Sequence, residues 1–495
     1  MIKLIDLLFE LVGELFKLLW ETCTLLWSLF DTGFTPSKKY EASLTKPGQI
    51  LKKNGIGWSM GGVYSVVGDD IYRSSTIIGS TGSNKTTSVA VVSLLNLCGH
   101  SSVIALDPSR EIEKIVRSQY EEAGYEIVRL DFSDRTGDIS DGYNLFPEDP
   151  DDLPSFIDAM IQIQLGSESK DPFWNLSASL LLQCIASTLY SIPTEYRTMA
   201  TLYDLLTYLS GAKQEVVEQF ICKHATEKAY SEYTSFANNS DNLKASVFST
   251  AKSVIQLFSQ DGVRRITSTS TFDLTEIRDK KMLVLLQTNP AEIERYKLLI
   301  SIFFEQLISS ILRQGVRQNV LPVNIILDEA GIIKVPILPS SLVVMRKYKL
   351  GVQILCQSEE QLIKNYGTEN ASTILNNTMA TLYMSGQSLK VAQRLQELSG
   401  KVTYEEEENG FKTKNTRYLL LADEIRSLPN DKAILLYGNH RICVVPVLPY
   451  FKNPRFKKIT NLPYTEPSRK LPIETVPMFP IEQFINEQGE PTYEN

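Results

Sequence analysis

At 495 residues the chain is too long for one ordinary domain and long enough to bury a large core. Its 43% apolar and 22% charged residues are the composition of a soluble globular protein. A net charge of −8, with a pI near 5.3, argues against a generally basic protein that coats nucleic acid. It leaves room for a basic channel inside an acidic shell.

The chain opens with "MIKLIDLLFELVGELFKLLWETCTLLWSLF", an apolar run interrupted by Lys3, Asp6, Glu10, Glu14, Lys17 and Glu21. The longest uncharged stretch falls short of the ~20 residues that a spanning helix needs. The charges recur at spacings of three and four, so residues 1–35 read as an amphipathic helix with one narrow polar stripe. Acids run through it and no small-residue cleavage site follows, unlike a signal peptide. Two readings stay open. The helix docks on the protein's own core or a partner helix, or it lies in the plane of a membrane surface as an anchor.

Residues 40–150 read as the first part of a nucleotide-binding domain, with a βαβ rhythm from about residue 60. "STII" leads into a Gly-rich loop, and an apolar helix runs from Thr86 to Cys98. "SVIALD" (Ser102 to Asp107) reads as a buried strand, "REIEKIVRSQYEEAG" as a helix ended by Gly124, and "EIVRLDF" as the next strand. Strands alternating with helices predict a mainly parallel sheet covered on both faces. Residues 151–265 are helical throughout and read as an inserted all-α domain. Strands return over 266–450 with "KMLVLLQ", "VNIILDEA", "GVQILCQ" and "MATLYMSG", and a hairpin-like pair, "AILLYG" and "RICVVPV", closes the folded part. Residues 451–495, rich in Pro and Glu, are expected to be extended or disordered. The six cysteines are scattered without a C-x-x-C pair, so a disulfide framework or zinc site is not expected. The three histidines, His100, His224 and His440, form no readable metal cluster.

The candidate site begins at "GSTGSNKTT", Gly79 to Thr87. A phosphate-binding loop needs Gly, four residues, then Gly-Lys-Ser/Thr, between a strand and a helix. Gly79, Lys85 and Thr86 fit, and Asn84 stands where the second glycine belongs. Asn is the non-glycine residue that best tolerates a left-handed backbone, so it is the least damaging replacement. Backbone N–H groups of Gly79, Ser80, Thr81, Gly82, Ser83, Asn84 and Thr87 would cradle phosphate at a helix N-terminus. Lys85 would reach the β- and γ-phosphates of ATP, and Thr86 would ligate Mg²⁺. "VNIILDEAG" supplies the distant carboxylates: Asp328 to hold Mg²⁺ through water, Glu329 to polarise the attacking water. Gln357 ends "GVQILCQ", at the same predicted sheet edge. Read alone it is a surface amide capping a turn; read with the loop it senses γ-phosphate.

These pieces, in order, resemble the type IV secretion coupling proteins, the conjugative DNA-transfer ATPases of the TraG/TraD kind. The matching stretches are "IIGSTGSNKT", "VIALDPSREI", "GYNLFP", "DPFWNLSASLLL", "ILDEAG", "RKYKLGVQILCQSEEQLIKNYG", "ILNNTMATLYMSG" and "LLLADEIRSLPNDKAILLYG", over roughly residues 60–450. The resemblance implies an α/β fold: a RecA-like P-loop ATPase domain plus an inserted all-α domain. It also implies a homohexameric ring around a channel, with ATP hydrolysed at subunit interfaces. By position, Lys85, Thr86, Asp328, Glu329 and Gln357 keep the roles above. Arg346, eleven positions before Gln357, corresponds to an arginine that acts on the neighbouring subunit's phosphate. Arg73, on the strand before the loop, corresponds to a second arginine. Asp107 and Glu111 match a "DPxxE" segment with no firm role.

The implied partners are single-stranded DNA with its relaxase or relaxosome, and a type IV secretion channel or membrane subunit. The implied place is cytoplasmic, peripheral at the inner face of a membrane, because the family's N-terminal pair of spanning helices is replaced here by the striped helix. The basic stretches Arg346 to Lys349 and Lys452 to Lys458 could touch DNA backbone, though the second reads better as a solvated linker. A DNA pump of the FtsK/HerA kind is the alternative on the same fold. A nucleotide-binding adaptor with weak hydrolysis is the alternative from another class.

Overall fold

A computed structural model describes residues 41–486, apart from 167–171, 212, 409–410, 462–463, 465, 467–472 and 475. The helix expected over 1–35 lies outside the described residues. Strands β1 (Lys52–Lys53), β2 (Gly57–Met60) and β3 (Tyr64–Val67) form a small antiparallel sheet. The main sheet takes β4 (Ser75–Ile78), β5 (Ser102–Asp107), β6 (Glu126–Asp131), β7 (Met282–Gln287), β8 (Val323–Leu327), β9 (Leu350–Cys356) and β10 (Ala380–Tyr383). After the separate pair β11 (Lys401–Glu408) and β12 (Phe411–Tyr418) come its last two strands, β13 (Lys432–Tyr437) and β14 (Cys443–Pro446). The main sheet runs β14-β13-β10-β4-β9-β8-β5-β7-β6. From β10 to β6 every pairing is parallel, and β13 and β14 add an antiparallel edge.

The central strands are continuous apolar runs because both sheet faces are covered. Within β5, Val103 and Ala105 enter one core while Ile104 and Leu106 enter the other. The first core holds β2, helix α1 (Val91–Leu97) and helix α2 (Glu111–Glu122). The second holds the helical insertion: α3 (Leu153–Leu165), α4 (Pro172–Ser187), α5 (Met199–Leu209), α6 (Gln214–His224), α7 (Glu227–Ala237), α8 (Asp241–Ile255) and α9 (Asp261–Thr267). The insertion is helical as expected, and its Met160, Leu181 and Ile255 belong to the same buried cluster as Ile104, Leu106 and α10 (Ile293–Arg313).

Two further helices, α11 (Glu359–Asn377) and α12 (Leu389–Ser399), follow β9 and β10. The helical path of α11 breaks at Gly367, whose φ is +77°. Among the described residues no helix is long and apolar enough to cross a membrane.

The extended or disordered tail expected over 451–495 is corrected at its described residues. Phe456, Ile473, Phe479 and Ile481 are buried. A last helix, α13 (Ile481–Asn486), follows. Phe479 meets Tyr196, Phe220 and Phe484 ring to ring. Its backbone N–H donates to Asp204, which also takes both ends of the Arg264 guanidinium. Few but large apolar side chains hold this segment, and composition averaged over its many polar residues hides them.

Strands β11 and β12 form a second compact unit with residues 399–419. They pair antiparallel from Lys401↔Tyr418 to Glu408↔Phe411. The sequence reading has no element there, because "KVTYEEEE" lacks the alternating apolar pattern of a half-buried strand.

Candidate active site

Register decides what meets at the C-terminal edge of the sheet. Ile78 of β4 pairs with Cys356 of β9, and Leu327 of β8 pairs with Ile354. Strands β4 and β9 therefore end level and β8 ends two residues earlier, so the residues after them, Gly79, Gln357 and Asp328, share one edge. Strand β9 lies between the loop strand β4 and the acid-bearing β8. Ligands of open α/β sheets bind at such an edge, where neighbouring strands lead to opposite sides.

The loop is anchored by Gly79 N–H donating to the Cys356 carbonyl at 3.2 Å. Gly82 has φ +80° and Asn84 φ +66°, so Asn84 takes the left-handed conformation otherwise given to the second glycine. Its carbonyl accepts from Ser88 N at 2.9 Å and Ser88 Oγ at 2.6 Å, which fixes the turn into the helix. Lys85 is buried, and its ammonium folds back on the Gly79 carbonyl at 2.5 Å and the Ser80 carbonyl at 3.2 Å. Ser83 Oγ is buried with no partner among the described residues. Beside Ser80 and Thr81 opens a cleft of about 510 Å³, walled by Gln357, Glu360, Gln361 and Gln387.

Thr86 Oγ1 donates to Asp328 Oδ2 at 2.6 Å, joining the loop to β8 across 242 positions. Asp328 is 5% exposed, and its Oδ1 is buried with no partner among the described residues. Burial pushes its carboxyl up to about 6, opposed by the Thr86 hydrogen bond and reinforced by the nearby Glu329 charge. A buried orphan carboxylate oxygen beside a hydroxyl is the donor set of a hard divalent cation. Glu329 sits at φ +69°, a left-handed backbone that costs most L-residues ~1–2 kcal/mol. Gln357 Nε2 donates to Glu329 Oε2 at 3.1 Å, so the amide and the acid already form a pair. Such strain persists where the surroundings over-determine it.

Not every sequence candidate reaches this edge. Arg73 closes the turn Gly68–Arg73 before β4 and is not on the strand. It is exposed and pairs with Asp70 at 3.6 Å. Arg346 lies exposed in the turn Met345–Tyr348 before β9, with no ion pair among the described residues. Both stand at the N-terminal edge of the sheet. The seven residues of β9, at ~3.3 Å each, put Arg346 about 20 Å from Gln357. Asp107 has a structural use. It ends β5 and accepts from Ile112 N at 3.2 Å and Glu113 N at 3.0 Å, capping α2. Burial first of all pushes its carboxyl up to about 6. Glu111 is exposed at the first position of α2.

Three residues around Glu329 escape the sequence reading: Gly331, Gln361 and Asn365. Gln361 Oε1 accepts from Gln357 N at 2.8 Å, and Asn365 Nδ2 donates to the Gly331 carbonyl at 2.6 Å. Their one signal is the i, i+4 spacing of two amides on a helix that follows Gln357, which has no meaning until β8 lies beside it.

Residues 36–472 match the protein family described as type IV secretory system conjugative DNA transfer. Protein VirD4 of Rhizobium radiobacter is 21% identical over 413 residues, covering 78% of this chain. The chain spans 58% of the length of that curated relative. Among solved structures, the unbound bacterial conjugative coupling protein TrwBdeltaN70 superposes with a TM-score of 0.65 at 18% identity, covering 83% of this chain and 93% of that one. The plasmid coupling protein TrwB in complex with ADP and Mg²⁺ gives 0.65 at 18% identity, over 83% and 94%. At that identity the likeness establishes a shared fold: a RecA-like α/β domain with a large, mainly parallel sheet and added helices.

Proposed function

This chain belongs to the type IV secretory system conjugative DNA-transfer family, and from that premise we propose that it is an ATP-hydrolysing coupling protein. It takes up a relaxase-bound DNA strand and drives it toward a type IV secretion channel. The carrying observation is the Thr86–Asp328 bond beside Lys85, with the Glu329–Gln357 pair on the same edge. The solved relatives named with ADP and Mg²⁺ and with an ATP analogue support the same ligands here.

In this reading Gly79 to Thr87 bind the phosphates. Lys85, held now by two neutral carbonyls, turns to phosphate oxygens, a stronger charge-assisted partner. Asp328 and Thr86 would hold Mg²⁺, which would supply positive charge to offset that of the transferring phosphate. Glu329 takes the proton of the attacking water, and Gln357 orients that carboxylate. Arg73 and Arg346 stand at the far edge of their own chain, so they serve a neighbouring copy's phosphate in a homohexameric ring. The basic run Arg346 to Lys349 contacts DNA backbone or that neighbour. Residues 1–35 dock the motor peripherally on the cytoplasmic face of a membrane or on a membrane subunit.

Turnover of ATP by the full-length chain, with and without single-stranded DNA, tests the reading. Mg²⁺-dependent hydrolysis that rises severalfold with DNA is the expected result. No hydrolysis under either condition overturns it.

The loop makes its own prediction. With φ +66° at position 84, Asn84→Gly keeps ATP affinity similar or slightly better. Asn84→Val, β-branched and resistant to positive φ, weakens it about tenfold or more. Titration of a fluorescent ATP analogue against the three proteins checks both. Weaker binding by the Gly variant would instead mean that the Asn84 amide touches phosphate.

A further inference from the structure

We infer that Gln361 and Asn365 form a bracket that positions Glu329, so that they set turnover through the placing of that carboxylate. The inference rests on the ATPase reading above. The two residues lie one turn apart on α11, before its break at Gly367, on the face toward the segment that follows β8. Gln361 Oε1 holds the Gln357 backbone N–H at 2.8 Å. The same carboxamide packs on Gly331: a Cβ there would stand 2.2 Å from Gln361 Oε1 and 2.5 Å from its Cδ. An alanine at 331 would therefore force the Gln361 carboxamide to move. One turn later Asn365 spends both Nδ2 protons on this segment, on the Gly331 carbonyl at 2.6 Å and the Ile333 carbonyl at 3.3 Å.

The segment is held further along as well. Val335 N–H donates to the Tyr366 hydroxyl at 3.0 Å, and Ile337 N–H to Glu305 Oε2 at 2.9 Å. Glu329, two residues before Gly331, keeps its left-handed backbone at φ +69° while its carboxylate accepts from Gln357. The bracket ties the Gln357 backbone and, two residues beyond Glu329, the Gly331 backbone to one helical turn. A base placed this way is held close to its working geometry, and a displacement of about 1 Å can cost about 10²-fold in rate.

The test uses full-length Asn365→Leu and Gly331→Ala. The first removes both donors from the segment. The second pushes the Gln361 carboxamide off Gln357 while leaving every backbone hydrogen bond possible. Affinity for a fluorescent ATP analogue stays within about twofold, and turnover falls about tenfold or more. Wild-type turnover in either folded variant, or affinity and turnover falling together in both, overturns the bracket. If Asn365→Leu does not fold, Gly331→Ala decides alone. Hydrogen exchange of residues 329–337 separates this inference from the reading on which it rests. If the wild-type chain shows no turnover, the ATPase reading fails, and the bracket stands on faster exchange there in the variants and falls on unchanged exchange.

Discussion

Replacing Glu329 with Gln leaves nucleotide affinity near that of the wild type and lowers steady-state turnover by about 10²–10⁴-fold, the usual contribution of a positioned general base. The side chain keeps its size and can still meet Gln357, so the local fold is spared. What is lost is the ability to accept a proton from water. Affinity is spared because Lys85, Thr86 and the loop backbone stand on other elements and meet Glu329 through no hydrogen bond. Lys85→Ala gives the opposite split and weakens binding itself, since it removes the one buried ammonium facing the loop carbonyls. Titration of a fluorescent ATP analogue beside a phosphate-release assay reads the two patterns. Normal hydrolysis by the Gln variant would remove Glu329 from the mechanism.

Arg346→Ala lowers turnover by about 10³-fold, and mixing it with Lys85→Ala subunits restores part of the activity. The argument is geometric. Arg346 stands before β9 and Lys85 after β4, at opposite ends of a parallel pair in which Ser75 aligns with Gln353. No side chain spans that length, so a single copy cannot bring Arg346 to its own phosphate. A neighbouring copy can. In a mixed ring an Arg346→Ala subunit offers an intact loop, a Lys85→Ala subunit offers an intact arginine, and one interface in the right order holds both. Turnover by mixed rings above the sum of the two variants, assayed after co-purification on two different tags, is the expected result. Its absence in demonstrably mixed oligomers would count against action in trans. Arg73, already paired with Asp70, is expected to give a smaller effect in the same assay.

The sequence by itself determined the parts whose signal is local. "STII" before a Gly-rich loop, the buried run of "SVIALD" and the acids after "VNIIL" each declare an element and its end, because a strand covered on both faces must be apolar throughout. The left-handed backbone at Asn84 is local in the same sense: chain geometry at one residue selects Gly or Asn. Proximity is another matter. Thr86 and Asp328 are 242 positions apart, and only strand order and register place them 2.6 Å from each other. Asp107 has no firm role in one dimension and is a helix cap in three, because it accepts from the backbone N–H groups of Ile112 and Glu113.

The buried tail and the amides of α11 were invisible for one shared reason. Phe479 is buried by Tyr196, Phe220 and Phe484, and Gly331 is required by a side chain that arrives thirty positions later, at Gln361. Burial and steric fit belong to pairs of distant residues, whereas periodicity and turn chemistry belong to neighbours. Tertiary structure alone therefore decided which polar groups meet at the C-terminal edge of the sheet and which stand at its other end.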